Sequence, residues 1–350
     1  MYEPITIVKP SSDSIDRSTS LRFYLQPFQN WLEQSDITEI CVNRPWEIFV
    51  ERESKWEQYT VPILTLDYLK SLATAAAVYI DSEINDSRPF LSARLPDGER
   101  IQIVYPPACE TGTISVTIRK PSQVRFNLAA YENQNFFAHI QPSSDALTPD
   151  EQDLLELKDR KDYAAFLRRA VQLEKVIVVA GETGSGKTTF MKALVQAIPT
   201  DHRIITIEDV HELFLPDHPN HVHLFYPSEG DNNAFSTPAT CLKSCLRMKP
   251  TRILLAELRG AETFDFINIC SSGHGGSITS CHAGSVELTF ERMALMVLQN
   301  EQGRTLPHEV IRHLLYMTID VVVHIHNDIY SNHGRHITEI WYDPARKRRR

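Results

Sequence analysis

Residues 181–188 read Gly-Glu-Thr-Gly-Ser-Gly-Lys-Thr, an uninterrupted match to G-x-x-x-x-G-K-[ST]. They follow an apolar run, Val176–Ala180, and precede a helical pattern that extends from Lys187 to about Ile198. No other stretch restricts the fold as much. Glycines let the backbone wrap a phosphate with successive N–H groups turned inward, and the following helix adds the partial positive charge of its N-terminus. Such a loop works at the carboxyl end of a strand, so the chain is expected to carry a nucleotide-binding α/β unit. Lys187 is expected to reach the β- and γ-phosphates, and Thr188 to hold Mg²⁺ through its hydroxyl. Gly181, Thr183, Gly184, Ser185, Gly186 and Thr189 complete the candidate phosphate site.

The surrounding pattern agrees. Strand-like runs at Arg203–Ile207, Arg252–Ala256, Ser277–Thr279 and Ile319–Ile325 alternate with helical stretches at Pro238–Met248, Ala261–Cys270 and Val286–Gln299. Short apolar strands separated by helices predict a mostly parallel sheet covered on both faces. The glycines divide the chain: none of the 13 lies before Gly98, and nine fall between Gly181 and Gly284. Upstream, Phe23–Glu33 and Leu66–Ile80 have helical spacing. Ile37–Val42, Trp46–Val50, Leu91–Leu95, Glu99–Tyr105 and Thr113–Arg119 read as strands, with Pro96-Asp97-Gly98 as a hairpin turn. This predicts a smaller α+β domain over 21–125 after a loose extension over 1–20. A connection over 126–160 includes Pro142-Ser143-Ser144, and Thr148-Pro149-Asp150-Glu151 reads as a capping box. The α/β domain is then expected over 161–350.

With 36 basic and 45 acidic residues the formal charge is −9, which argues against a protein that coats nucleic acid non-specifically. Residues 1–150 hold 13 basic and 20 acidic side chains, so most of the deficit belongs to the first domain. No apolar run approaches the ~18–20 residues of a membrane helix, and Met1–Ser20 lacks an apolar signal segment. The six scattered cysteines, none spaced C-x-x-C, read as reduced thiols of a cytosolic protein and not as a zinc ribbon.

Hydrolysis needs acids as well as a phosphate loop. Glu257 ends the apolar run Arg252–Ala256, and Glu208-Asp209 ends Arg203–Ile207; strand ends of a doubly wound sheet share one crevice. Glu in place of Asp at 257 suggests water activation beside, or in place of, metal binding. His274 and His282 bracket a short Gly-flanked strand, where a histidine can sense a phosphate charge. His211, His218, His221 and His223 fall among Pro and Asn and read as a solvent-facing polar loop.

Taken in order, Gly181–Thr189, Ile207–Leu213, Leu255–Gly260 and Gly273–Ala283 resemble the Walker A, Asp box, Walker B and His box of the secretion ATPase superfamily. The wording is most similar to the traffic ATPases of type IV secretion and conjugation systems. Cys241–Pro250, Ser280–Ser285, Leu95–Arg100 and Ile118–Pro121 extend the likeness over roughly 25–340. The resemblance implies a RecA-like second domain, a homohexameric ring, and a place at the cytoplasmic face of the bacterial inner membrane. It implies ATP and Mg²⁺ as ligands, with ATP hydrolysis powering translocation and pilus assembly. Other secretion ATPases and inner-membrane components would be partners; sequence-specific nucleic-acid binding is not expected. By the same resemblance Glu208 and Glu257 serve catalysis, His282 reads the γ-phosphate, and Arg100 and Arg119 reach the nucleotide phosphates from the first domain. His274 and Arg247 are weaker candidates. Ala256 stands where the family commonly has Gly.

The long connection would let a domain pack beside a neighbour's partner domain. A protomer whose own two domains enclose its nucleotide would exclude that arrangement. A pilus-retraction or type II secretion ATPase, a nucleic-acid-driven motor and a nucleotide-gated scaffold are the competing readings. The type II enzymes usually carry a four-cysteine metal motif missing here. Arg346–Arg350 reads either as a solvated end or as a contact for anionic lipid or an acidic partner.

Overall fold

The computed structural model describes residues 17–121, 127–140, 146–227, 236–330 and 333–348. Most of the expected N-terminal extension, the Pro142-Ser143-Ser144 stretch and the end of the basic tail lie outside the described residues.

The first unit begins with α1 (Ser18–Leu25) and α2 (Gln29–Leu32). Strands β1 (Ile37–Val42), β2 (Glu47–Arg52) and β3 (Lys55–Thr60) follow, then α3 (Leu66–Tyr79), β4 (Phe90–Arg94), β5 (Arg100–Val104) and β6 (Ser115–Arg119). The strands form one antiparallel sheet in the order β3-β2-β1-β6-β5-β4. Its apolar residues, among them Ile40, Val50, Ile101 and Val116, pack with Leu21, Phe28, Leu69 and Leu72 of the helices. Thr65 caps α3 by accepting the Tyr68 N–H, so the helix starts where the Ala-rich apolar pattern starts. Strand β3 leaves no sequence signal. It is exposed, and its hairpin turns through Glu53 and Ser54 at φ 47° and 64° without the usual Asn or Gly.

Helix α4 (Leu128–Asn133) lies in the connection. Helix α5 (Pro149–Asp159) opens on the expected capping box, with Thr148 and Glu151 satisfying each other's backbone N–H. Leu154 of α5 is fully buried in the second unit's core, so packing of that unit starts ahead of residue 161. The second unit continues with α6 (Tyr163–Gln172), β7 (Ile177–Gly181), α7 (Lys187–Val195), β8 (Ile204–Glu208), β9 (His221–Phe225), α8 (Pro238–Cys245) and β10 (Arg252–Leu258). It ends with α9 (Glu262–Ser271), β11 (Ile278–Cys281), α10 (Val286–Val297), α11 (His308–Thr318), β12 (Val321–Asp328) and β13 (Gly334–Tyr342). The sheet order is β13-β12-β7-β11-β10-β8-β9, parallel except for the β12–β13 hairpin. Alternate residues of β7 serve opposite cores. Val178 and Ala180 face one with Phe266 and Phe290, while Ile177 and Val179 face the other with Phe166 and Met191.

The two units meet along β9 and the amino-terminal ends of β8 and β9. Arg203, fully buried, donates to the Met248 carbonyl (2.8 Å), to Asn43 Oδ1 (2.7 Å) and to Asn220 Oδ1. Asn43 also donates to Asn220 Oδ1 (3.1 Å), and Gln102 to Ser244 Oγ (3.1 Å). All six cysteines are buried free thiols. Among the described residues no helix is long and apolar enough to cross a membrane.

Candidate active site

Strand β7 delivers the phosphate loop at the carboxyl end of the parallel sheet. Gly184 and Gly186 adopt φ 76° and 97°, the left-handed backbone the wrap requires and that side chains disfavour. Lys187 opens α7 and is nearly buried. Its ammonium donates to the Gly181 and Glu182 carbonyls (3.0 Å each) and to His282 Nδ1 (3.2 Å). Burial lowers its pKa from the ordinary lysine value. Ser185 Oγ is buried without a hydrogen-bond partner. An orphaned hydroxyl beside a clustered ammonium, under a glycine wrap and a helix N-terminus, fits a nucleotide phosphate. Thr188 is half-buried next to Lys187; Thr183 and Thr189 are exposed.

From Lys187 a chain of contacts crosses the sheet in strand order. His282, just beyond β11, lies with Nε2 2.8 Å from Glu257 Oε1 at the end of β10. An ammonium only donates, so His282 Nδ1 accepts and its proton is assigned to Nε2, facing the carboxylate. The other Glu257 oxygen accepts from Arg259 Nε (2.9 Å), and Arg259 Nη1 donates to Asp209 Oδ2 (2.6 Å) just beyond β8. Phosphate loop, histidine and two strand-end acids thus stand side by side, as the crevice rule expects. Arg259 is the member that the sequence offered without a role; Asp209 was expected in the crevice only as half of the Glu208-Asp209 pair.

Glu208 is different. Its carboxylate is fully buried, and its hydrogen-bond partners all lie outside the phosphate loop. Oε1 accepts the Thr206 hydroxyl (2.6 Å) and lies 3.3 Å from His223 Nδ1, while Oε2 accepts the Glu212 and Leu213 N–H groups (2.8 Å each). Burial would raise its pKa, but these hydrogen bonds outweigh it and hold the group below the ordinary value. The reading of the four histidines as a solvent-facing loop is corrected here. His221 and His223 belong to β9, His218 and His223 are buried, and burial pushes His221 down to about 3. A parallel edge strand covered by the first unit needs no clean apolar run, which hid it. Glu208, His211 and His223 bring ligand atoms within 4.8 Å of one another. Both Glu208 oxygens already use their lone pairs, so an ion would have to displace His223 or Thr206.

Arg100 and Arg119 do not approach the phosphate loop of this chain. They pair across β5 and β6, Arg119 lies 3.5 Å from Glu39, and the cleft they line includes Lys249 but no residue of 181–189. Lys249 precedes β10, whose far end carries Glu257; the strand between Arg252 and Glu257 alone spans about 17 Å. His274 likewise precedes β11, at the opposite end from His282. Arg247 donates to Ser92 Oγ (3.0 Å) between the two units. The β12–β13 hairpin was not foreseen at the site. Its Ile325 pairs with Gly181, His326 lies 3.9 Å from Glu182, and Arg335 packs against Gly186.

The model of the type II/IV secretion system protein family matches residues 25–338. Type IV secretion system protein VirB11 of Brucella suis biovar 1 is 66% identical over 343 residues, covering 97% of this chain and 95% of that protein. PtlH of Bordetella pertussis, a type IV secretion system protein, is 46% identical over 329 residues, covering 93% and 96%. The crystal structure of the VirB11 ATPase from the Brucella suis type IV secretion system, in complex with sulphate, superposes with a TM-score of 0.90. It is 67% identical and covers 94% of this chain and 99% of that one. The chain therefore belongs to the type II/IV secretion system protein family and is a type IV secretion ATPase.

Proposed function

We propose that the chain hydrolyses ATP as a homohexameric ring that powers substrate translocation and pilus assembly at the cytoplasmic face of a bacterial inner membrane. The observation that carries the catalytic part is the unbroken contact line Lys187–His282–Glu257–Arg259–Asp209 at the carboxyl ends of four adjacent strands. Lys187 and the loop N–H groups take the phosphates, Glu257 orients or deprotonates water, and His282 reads the γ-phosphate. Mg²⁺, held through Thr188, supplies charge neutralisation for the β- and γ-oxygens when bound. Glu208 supports the crevice from behind, as its four hydrogen bonds favour. The RecA-like architecture is the reading that a parallel sheet with the loop after β7 supports best.

The ring reading rests on Arg100 and Arg119. Arginines at the far end from their own loop are free to serve a neighbouring copy's nucleotide, as guanidinium groups stabilise phosphoryl-transfer charge. The proposed partners are further copies of this chain, other secretion ATPases and inner-membrane components.

Steady-state ATP hydrolysis over a dilution series tests both parts, with Glu257→Gln beside the native chain. Activity per chain is expected to fall on dilution, and the variant to stay silent at every concentration. A native chain that binds ATP but never hydrolyses it when concentrated overturns the catalytic reading. Constant activity together with a monomeric mass overturns the ring.

A further inference from the structure

The position of Arg259 between the two strand-end acids is more specific than a surface ion pair. Asp209 and Glu257 end β8 and β10, neighbouring strands in the sheet, and their side chains are only 15% and 14% exposed. Two such carboxylates held side by side repel each other unless a cation lies between them. Arg259 fills that place with a fork: Nε (2.9 Å) and Nη2 (2.8 Å) on one Glu257 oxygen, and Nη1 (2.6 Å) on Asp209. Glu257 and Arg259 are two residues apart on an extended backbone, which puts both side chains on one face. The β10–β11 register shifts between Leu255 and Leu258, an irregularity of the kind that re-aims side chains beside active sites. The Arg259 main chain is itself held, because Glu262 Oε1 accepts both the Arg259 N–H (2.6 Å) and the Gly260 N–H (2.8 Å).

We infer that Arg259 is a positioning residue. It fixes one oxygen of the Glu257 carboxylate against Asp209 so that the other is presented to His282 and the phosphate loop. The inference rests on the proposal that Glu257 is catalytic. A lysine there would keep the charge but lose the planar fork, and a glutamine would lose both the charge and the fork. A residue that orients a catalytic group without touching the nucleotide should affect turnover and leave ground-state binding alone.

The test is steady-state kinetics of the full chain at a concentration on the plateau of the dilution series. Arg259→Gln, Arg259→Lys, Asp209→Asn, the double Asp209→Asn/Arg259→Gln and Glu257→Gln are compared, with affinity for a non-hydrolysable ATP analogue and thermal midpoint recorded for each. For Arg259→Gln we expect kcat to fall about tenfold or more, while KM and analogue affinity stay within about twofold and the chain stays folded at the assay temperature, its midpoint lowered only by the repulsion left between the two acids. Arg259→Lys should recover part of the loss. Asp209→Asn should give a smaller fall of the same kind, and the double variant should be no worse than Arg259→Gln, because the two act through one contact. Native kcat in Arg259→Gln overturns the inference. So does a fall matched by loss of analogue affinity or by unfolding at the assay temperature, or a lysine variant no better than glutamine. Glu257→Gln separates the two layers. If it stays active, the catalytic reading itself fails. If it is silent while Arg259→Gln turns over normally, only the role of Arg259 fails.

Discussion

At the residue scale the phosphate loop depends on absent side chains as much as on present ones. A Cβ on Gly181 would meet the Ile325 carbonyl oxygen and, at 2.5 Å, Ser185 Oγ, closer than real Cβ atoms come. Around Gly184 nothing lies within 4 Å, so an alanine there meets only the cost of its left-handed backbone. Gly181→Ala should therefore destabilise by roughly 2–3 kcal/mol and weaken ATP-analogue binding, whereas Gly184→Ala should cost about 1 kcal/mol. Urea denaturation of the two variants checks the order; equal losses would show that contact at Gly181 is relieved by movement. The loop and Glu257 were legible because their residue types follow from phosphate chemistry at strand ends, whereas His282 was separated from His274 only by the family resemblance. Arg259 was not legible, since an arginine at a strand end is ordinary until its two acids are seen beside it.

At the element scale, several elements with an apolar face were read almost to the residue: Ile37–Val42 is β1 as expected, and Leu66–Ile80 differs from the helix α3 only at its end. The strands that escaped, β3, β9 and β13, owe their places to neighbours and not to their own pattern. Strands β3 and β13 are largely exposed edge strands. Strand β9 and the turn before it bury histidines whose polarity is satisfied by Glu208, Thr206 and backbone carbonyls. Strand β1 carries a further polar burial. Glu39 is only 3% exposed, its Oε2 has no partner, and burial raises its pKa from 4.5 to about 7 against the pull of Arg119. A carboxyl whose folded value is raised contributes fully below the unfolded value and loses that contribution as pH climbs through the folded one. At about 1.4 kcal/mol per pH unit, the loss between pH 4.5 and pH 7 is of order 3 kcal/mol. Glu39→Gln should match the native chain near pH 4.5 and exceed its stability at pH 8, as measured by urea unfolding at both values. A native advantage at pH 8 would mean that the pair with Arg119 outweighs burial.

At the scale of the whole molecule, the two units are joined through polar groups that no pattern in either unit announces. Asn43 lies 160 residues from Arg203 in sequence, and their 2.7 Å contact depends on both sheets being finished. Replacing Arg203 strands the buried Asn43 oxygen and the Met248 carbonyl and leaves Asn220 Oδ1 with the Asn43 amide as donor. Arg203→Met should cost about 3 kcal/mol and raise amide hydrogen exchange in β1 and β9 more than in β7. Uniform protection across the three strands would show the units held together by other contacts. The buried thiols give the molecule a different property. Burial lifts Cys41 to about 11 and Cys109, Cys241, Cys270 and Cys281 to about 12, and moves Cys245 in the same direction. The reactive thiolate is thus nearly absent and doubly shielded. Spread over both units, these sulfurs stay mute toward alkylating reagents while the fold is closed. Their labelling rate is a clock for its opening, readable cysteine by cysteine in a mass spectrum without altering a single residue.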